Sequence, residues 1–99
     1  SPVNPIPPTD LLANPNPNGT NKLSWNRNGN PQGTIFIIEM QDRPGFPWVL
    51  IGTTTKTTYD HQGQMPGITK YYRVRAQRND TTTEPSNEAI VYPGGAPVV

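Results

Sequence analysis

Tyr71-Tyr72-Arg73-Val74-Arg75-Ala76-Gln77 decides how this chain folds. Tyr72, Val74 and Ala76 alternate with Tyr71, Arg73 and Arg75, and a period of two is that of a strand with one face buried and one in water. The same rule reads outward along the chain. Thr34 to Gln41 sets Phe36, Ile38 and Met40 on one side, and Asn21 to Asn26 sets Leu23 and Trp25 together. Thr9 to Ala13, Trp48 to Thr53 and Thr57 to Tyr59 are further short strands, the last rich in β-branched threonine. Asn87 to Tyr92 closes the series, with Ala89 and Val91 in phase. Between these runs stand Asn14-Pro15-Asn16-Pro17-Asn18-Gly19, Asn28 to Gly33, Asp42 to Pro47, Gly63 to Gly67 and Arg78 to Pro85, all of turn composition. Seven short strands at this spacing, with no helical period, predict an all-β antiparallel sandwich. Its core is Leu23, Trp25, Phe36, Ile38, Tyr72, Val74 and Ala76.

Composition agrees and excludes whole classes of function. Apolar residues are 31% and charged residues 15% of the 99, while 12 Thr, 10 Asn and 13 Pro fill the remainder, which argues against long helices. A chain this long can bury roughly two thirds of the surface it exposes when unfolded, so one domain stands without metal or disulfide. A net charge of +1 lacks the electrostatic footprint of a nucleic-acid binder. No apolar run approaches the roughly 20 residues of a membrane span. Residues 1–8, with four prolines, read as a linker; 93–99, with Gly94-Gly95, read as another, leaving one domain over 9–92 and neighbouring domains of the same chain as its first partners.

Chemistry finds no foothold. The chain has no Cys and a single His, so thiol catalysis and zinc sites are not expected, and no Asp-x-Asp run suggests calcium. His61, between Asp60 and Gln62, reads as a solvated loop histidine, with Ser1, Ser24 and Ser86 scattered elsewhere. The seven carboxylates are dispersed, and a small sandwich filled by its own side chains offers no cleft in which two could face each other. No glycine-rich loop opens a helix to hold a phosphate, and no cofactor is expected.

What remains is surface. Strand alternation turns Ile35 and Ile37 outward beside Tyr71, Arg73 and Arg75, and Tyr and Arg with aliphatic neighbours are enriched at interface centres. Together with Trp48 these form the candidate contact surface. The plain alternative is that arginine stems merely cover the isoleucines. Trp48 is read either as packed on the sheet or as partly exposed, the second leaving it free to stack on a sugar.

Six pieces occur in order: Pro8-Thr9-Asp10-Leu11, Leu23-Ser24-Trp25, Phe36-Ile37-Ile38-Glu39, Trp48, Pro66-Gly67 leading to Tyr72-Arg73-Val74-Arg75-Ala76, and Pro85-Ser86-Asn87. From Pro8 to Tyr92 the chain resembles a fibronectin type III module. The resemblance implies a seven-stranded immunoglobulin-like sandwich without the disulfide. It also implies a non-catalytic spacer or interaction module of a multidomain extracellular, secreted, cell-surface or virion-surface protein. Adhesion proteins, receptors, secreted polysaccharide-degrading enzymes and phage tail proteins carry such modules. Two rivals are a carbohydrate- or receptor-binding module and an accessory domain of a secreted hydrolase. The loop Arg78-Asn79-Asp80-Thr81 lacks the Arg-Gly-Asp that some adhesive relatives carry there. The family's corner tyrosine falls on Lys70, so either a bulge re-aims Tyr71 or the corner is missing. Asn18-Gly19-Thr20 and Asn79-Asp80-Thr81 have the form of glycosylation acceptors.

Overall fold

The computed structural model describes residues 4–65 and 67–92, and its order begins at the central strand β6, Lys70–Arg78. Residues 1–3 and 93–99 of the two sequence-read linkers, and Pro66 of the Pro-Gly pair, lie outside the described residues. On one side β6 pairs antiparallel with β3 (Ile35–Gln41) in unbroken register from Ile35 opposite Gln77 to Gln41 opposite Tyr71. β3 in turn pairs with β4 (Val49–Thr54). On its other side β6 takes two short strands, β7 (Thr81–Thr82) and β8 (Ala89–Val91). A second, three-stranded sheet has the order β1 (Thr9–Pro15), β2 (Asn21–Asn26), β5 (Thr58–His61). The fold is an all-β sandwich of two antiparallel sheets.

The core lies between the sheets. All seven residues expected inside are buried, joined by Leu11, Ala89 and Val91. Trp25 meets Phe36 edge-on, with ring centroids 5.6 Å apart at 62°. Its indole N–H has no hydrogen-bond partner among the described residues, a cost of about 1–3 kcal/mol that packing must outweigh.

Short strands suffice because side chains finish the ladder that they leave open. Between β7 and β8, the Thr83 amide donates to the Ala76 carbonyl (2.9 Å) and Thr83 Oγ1 accepts from the Ala76 amide (3.1 Å). Ser86 treats Val74 the same way, at 2.8 and 3.0 Å. The Asn87 side chain then accepts from the Leu11 amide and donates to the Leu11 carbonyl, tying β1 to this segment.

Several expectations change. The stretch Arg78 to Pro85, read as a loop, contains a tight hairpin. Asn79 and Asp80 adopt φ of 50° and 65°, a left-handed pair that their short polar side chains tolerate, and so create β7 as an eighth strand. The register of β6 is continuous past Tyr71, so no bulge re-aims it; Lys70, at the corner position, pairs with Asp42 instead. At the other end of the chain, the inner part of the proline-rich stretch is attached to the domain. Pro8 is fully buried, and the buried Asn30 side chain brackets Ile6 with bonds of 2.8 Å from its amide and 2.7 Å to its carbonyl.

Trp25→Ala should cost about 3–5 kcal/mol in urea denaturation, most of a small domain's stability. A loss below about 1 kcal/mol would remove Trp25 from the core.

Candidate functional site

The outward residues of β3 and β6 form cross-strand rows. Glu39 stands opposite Arg73 on one side and Leu50 on the other; Ile37 stands opposite Arg75 and Thr53; Tyr71 stands opposite Gln41 and Ile90. This register makes Glu39, which the sequence reading of the surface left out, its centre. Arg73 Nε donates to Glu39 Oε1 at 2.6 Å, and Arg75 Nε donates to the same oxygen at 3.0 Å. Arg75 Nη1 also reaches the Thr83 carbonyl at 2.9 Å. The Arg73 guanidinium lies 4.2 Å from the centre of the Trp48 ring, so Trp48 packs on the sheet through that cation. Glu39 shares the phase of Ile35 and Ile37, and alternation alone was enough to place it on this face.

Burial by itself would raise the Glu39 carboxyl, but the hydrogen bonds and charges of Arg73 and Arg75 outweigh it and hold the group below its ordinary range. Two cations against one anion leave the cluster with a charge of one positive unit. Around it, Ile37, which stands opposite Arg75, is half-buried, while Leu50 (59%), Ile35 (40%) and Ile90 (39%) stay exposed as an apolar rim.

An Fn3-like protein from Clostridium thermocellum is 33% identical, matching 92% of this chain and 96% of its own length at a TM-score of 0.77. The chain belongs to the fibronectin type III family. The same fold recurs at lower identity in the titin kinase with its flanking domains (19%, TM-score 0.77, 91% of this chain). It recurs again in the sixth fibronectin type III domain of human fibronectin type III domain containing protein 3 (16%, TM-score 0.73). The chain spans nearly all of the bacterial protein and the human domain but 17% of the titin chain. No family model and no curated protein matches it.

This fibronectin type III domain holds a second polar cluster, and it corrects the reading of His61. β5 runs on through Asp60 to His61, which pairs with Asn21, so the histidine is part-buried on a strand instead of solvated in a loop. The turn composition after Tyr59 hid the extension. His61 Nδ1 lies 2.8 Å from Tyr72 Oη, to which the buried Asn21 amide also donates at 2.8 Å. His61 Nε2 lies 3.2 Å from the Gln64 amide nitrogen. A proton on Nε2 would set donor against donor, so the neutral ring fits here. Burial first, and the positive charge of Lys70 second, push the imidazole below its usual range. Among the described residues its hydrogen-bond partners are Tyr72 and Gln64, and none is a serine. Among the described residues no group of three His, Cys, Asp or Glu side chains gathers to hold a metal, and no helix is long and apolar enough to cross a membrane. Asn18 and Asn79, the two sequon asparagines, are both exposed on turns.

The depressed His61 fixes a pH dependence. Unfolded chains take up a proton near pH 6.5 while the folded domain resists it, so stability is full above that pH and falls as pH drops from about 7 toward 5. Because the ring is only part-buried, the slope should stay below the ~1.4 kcal/mol per pH unit of a full proton difference. This is the one histidine in the chain, and His61→Gln should flatten the slope in urea denaturation between pH 5 and 7. A slope unchanged by the substitution would exclude His61 as its source.

Proposed function

We propose that this domain is a non-catalytic spacer and interaction module of a multidomain protein on the cell surface or outside the cell, and that the outer face of its five-stranded sheet is what it presents to a neighbouring domain. The observation that carries the reading is the Glu39–Arg73–Arg75–Trp48 cluster with its exposed rim of Leu50, Ile35 and Ile90. Ordered arginine and an aromatic ring, ringed by aliphatic side chains, is the composition of interface centres. The titin kinase and its flanking domains, and the twitchin kinase region, supply support of a weaker kind: there a domain of this fold is one unit of a much longer chain. Among the described residues no serine is hydrogen-bonded to His61, which fits a module whose parent leaves chemistry to other domains.

The Arg73 guanidinium occupies one face of the Trp48 ring, which leaves the sugar-stacking alternative only the other.

Arg73→Glu would set a second carboxylate against Glu39 and disturb the domain by itself. Leu50→Lys is cleaner, since Leu50 is 59% exposed. In the isolated domain it should shift stability by no more than about 0.5 kcal/mol, while in the parent protein the melting temperature of this domain should fall by several degrees. Equal shifts in both settings would mean that the face is ordinary solvated surface.

A further inference from the structure

The outer face holds more donor capacity than its own carboxylate uses. A guanidinium carries five N–H donors. Among the described residues, Arg73 commits one of them, to Glu39, and Arg75 commits two, to Glu39 and to the Thr83 carbonyl. Both Nε atoms converge on a single oxygen, Glu39 Oε1, so the pair of cations is held together by half of one carboxylate. The remaining donors belong to side chains that are already ordered. Arg73 is fixed by its stacking against the Trp48 ring and Arg75 by Thr83, so a ligand that binds them immobilises little that was free. Two like charges on adjacent outward positions of one strand, with one counter-charge between them, leave a site complementary to a second anion.

The surroundings narrow the anion's class. Leu50, Ile35 and Ile90 stand exposed about the cluster, with Tyr71 between Gln41 and Ile90. Aliphatic side chains suit a partner that brings apolar groups together with its charge, which a protein surface does and a hydroxyl-rich sugar does less well. Carboxylate geometry matches the fork of a guanidinium, which can give it two parallel bonds.

The geometry points to Arg73 and Arg75 as a preorganised receptor for an Asp or Glu carboxylate of a protein partner, docked on the outer face of the five-stranded sheet with Leu50, Ile35 and Ile90 as its apolar rim. This rests on the reading of that face as a contact surface, and it adds the chemistry of what is contacted. Salt should weaken the contact, because the pairing is only part-buried, and removing the partner's charge should weaken it as much as removing an arginine.

The test uses two peptides, acetyl-Thr-Leu-Glu-Ile-Glu-Thr-amide and its analogue with both Glu replaced by Gln, titrated into the 15N-labelled domain. The Glu peptide should give saturable shifts of the Arg73 and Arg75 Nε signals and of the Leu50 amide. Binding of the Gln analogue, and binding of the Glu peptide at about 0.5 M salt, should each be at least about fivefold weaker. Arg75→Gln should abolish the Nε shift of Arg73 on titration while the amide spectrum stays that of the folded domain; Arg73 keeps Glu39 and Trp48 in that variant. Equal binding of the two peptides would overturn carboxylate recognition and leave the face as an apolar contact. Absence of saturable shifts with both would also overturn it, while Leu50→Lys in the parent protein decides the contact surface separately. A galacturonate tetramer binding more tightly than the Glu peptide would assign the arginines to carbohydrate and overturn the protein partner.

Discussion

The pairing of β3 with β6 is the interaction on which the rest depends. Its register places Phe36 opposite Ala76 and Ile38 opposite Val74 on the inward side, and so builds the centre of the core. The same register places Glu39 opposite Arg73 on the outward side, and so builds the ionic cluster. A slip by one residue would turn one of the two strands over, burying either Glu39 or the two arginines and exposing that strand's core row. Core and contact surface are thus two consequences of one alignment, and the burial of the first fixes the second.

What lies around that pair is held by side chains doing the work of backbone. Thr83 and Ser86 each present a hydroxyl and an amide to β6, so its edge stays satisfied between two very short strands. Asn87 joins β1 to this segment, and Asn30 does the same for Ile6. On the far edge, Tyr59 of the smaller sheet donates to the Ile51 carbonyl of β4 at 3.1 Å. Its hydroxyl would stand 2.3 Å from a Cβ at position 52, so Gly52 is the residue that lets the two sheets close there. An abundance of Asn, Thr and Ser, unpromising as core material, serves this purpose: each hydroxyl or amide completes a hydrogen bond that a longer strand would have made.

Alternation made the core legible, because a period of two needs no knowledge of which strand pairs with which. Phe36, Ile38, Tyr72, Val74 and Ala76 could be placed inward one strand at a time. What depended on the partner strand could not. Glu39 was visibly outward, but that it faces Arg73 rests on a register that no single strand states. His61 was hidden because the turn composition after Tyr59 masked two more residues of pairing, and its partner Tyr72 is distant in sequence. The Asn79-Asp80 hairpin was missed because polar residues were read as loop when both can adopt left-handed backbone at little cost. The alternation also placed Arg73 and Trp48 on the surface without showing that one covers the other.

The two clusters face different tasks. The inner one, Asn21 with Tyr72 and His61, joins β2, β5 and β6 across the sandwich. The outer one leaves the interior untouched. That separation is tested most directly by a double-mutant cycle on stability with Glu39→Gln, Arg73→Gln and the pair, monitored also by the NMR signal of the buried Trp25 indole N–H. The shared register predicts a coupling of about 0.5–1 kcal/mol between the two positions, with the Trp25 signal unchanged in all three variants. Additive effects, or a changed core signal in any folded variant, would contradict it.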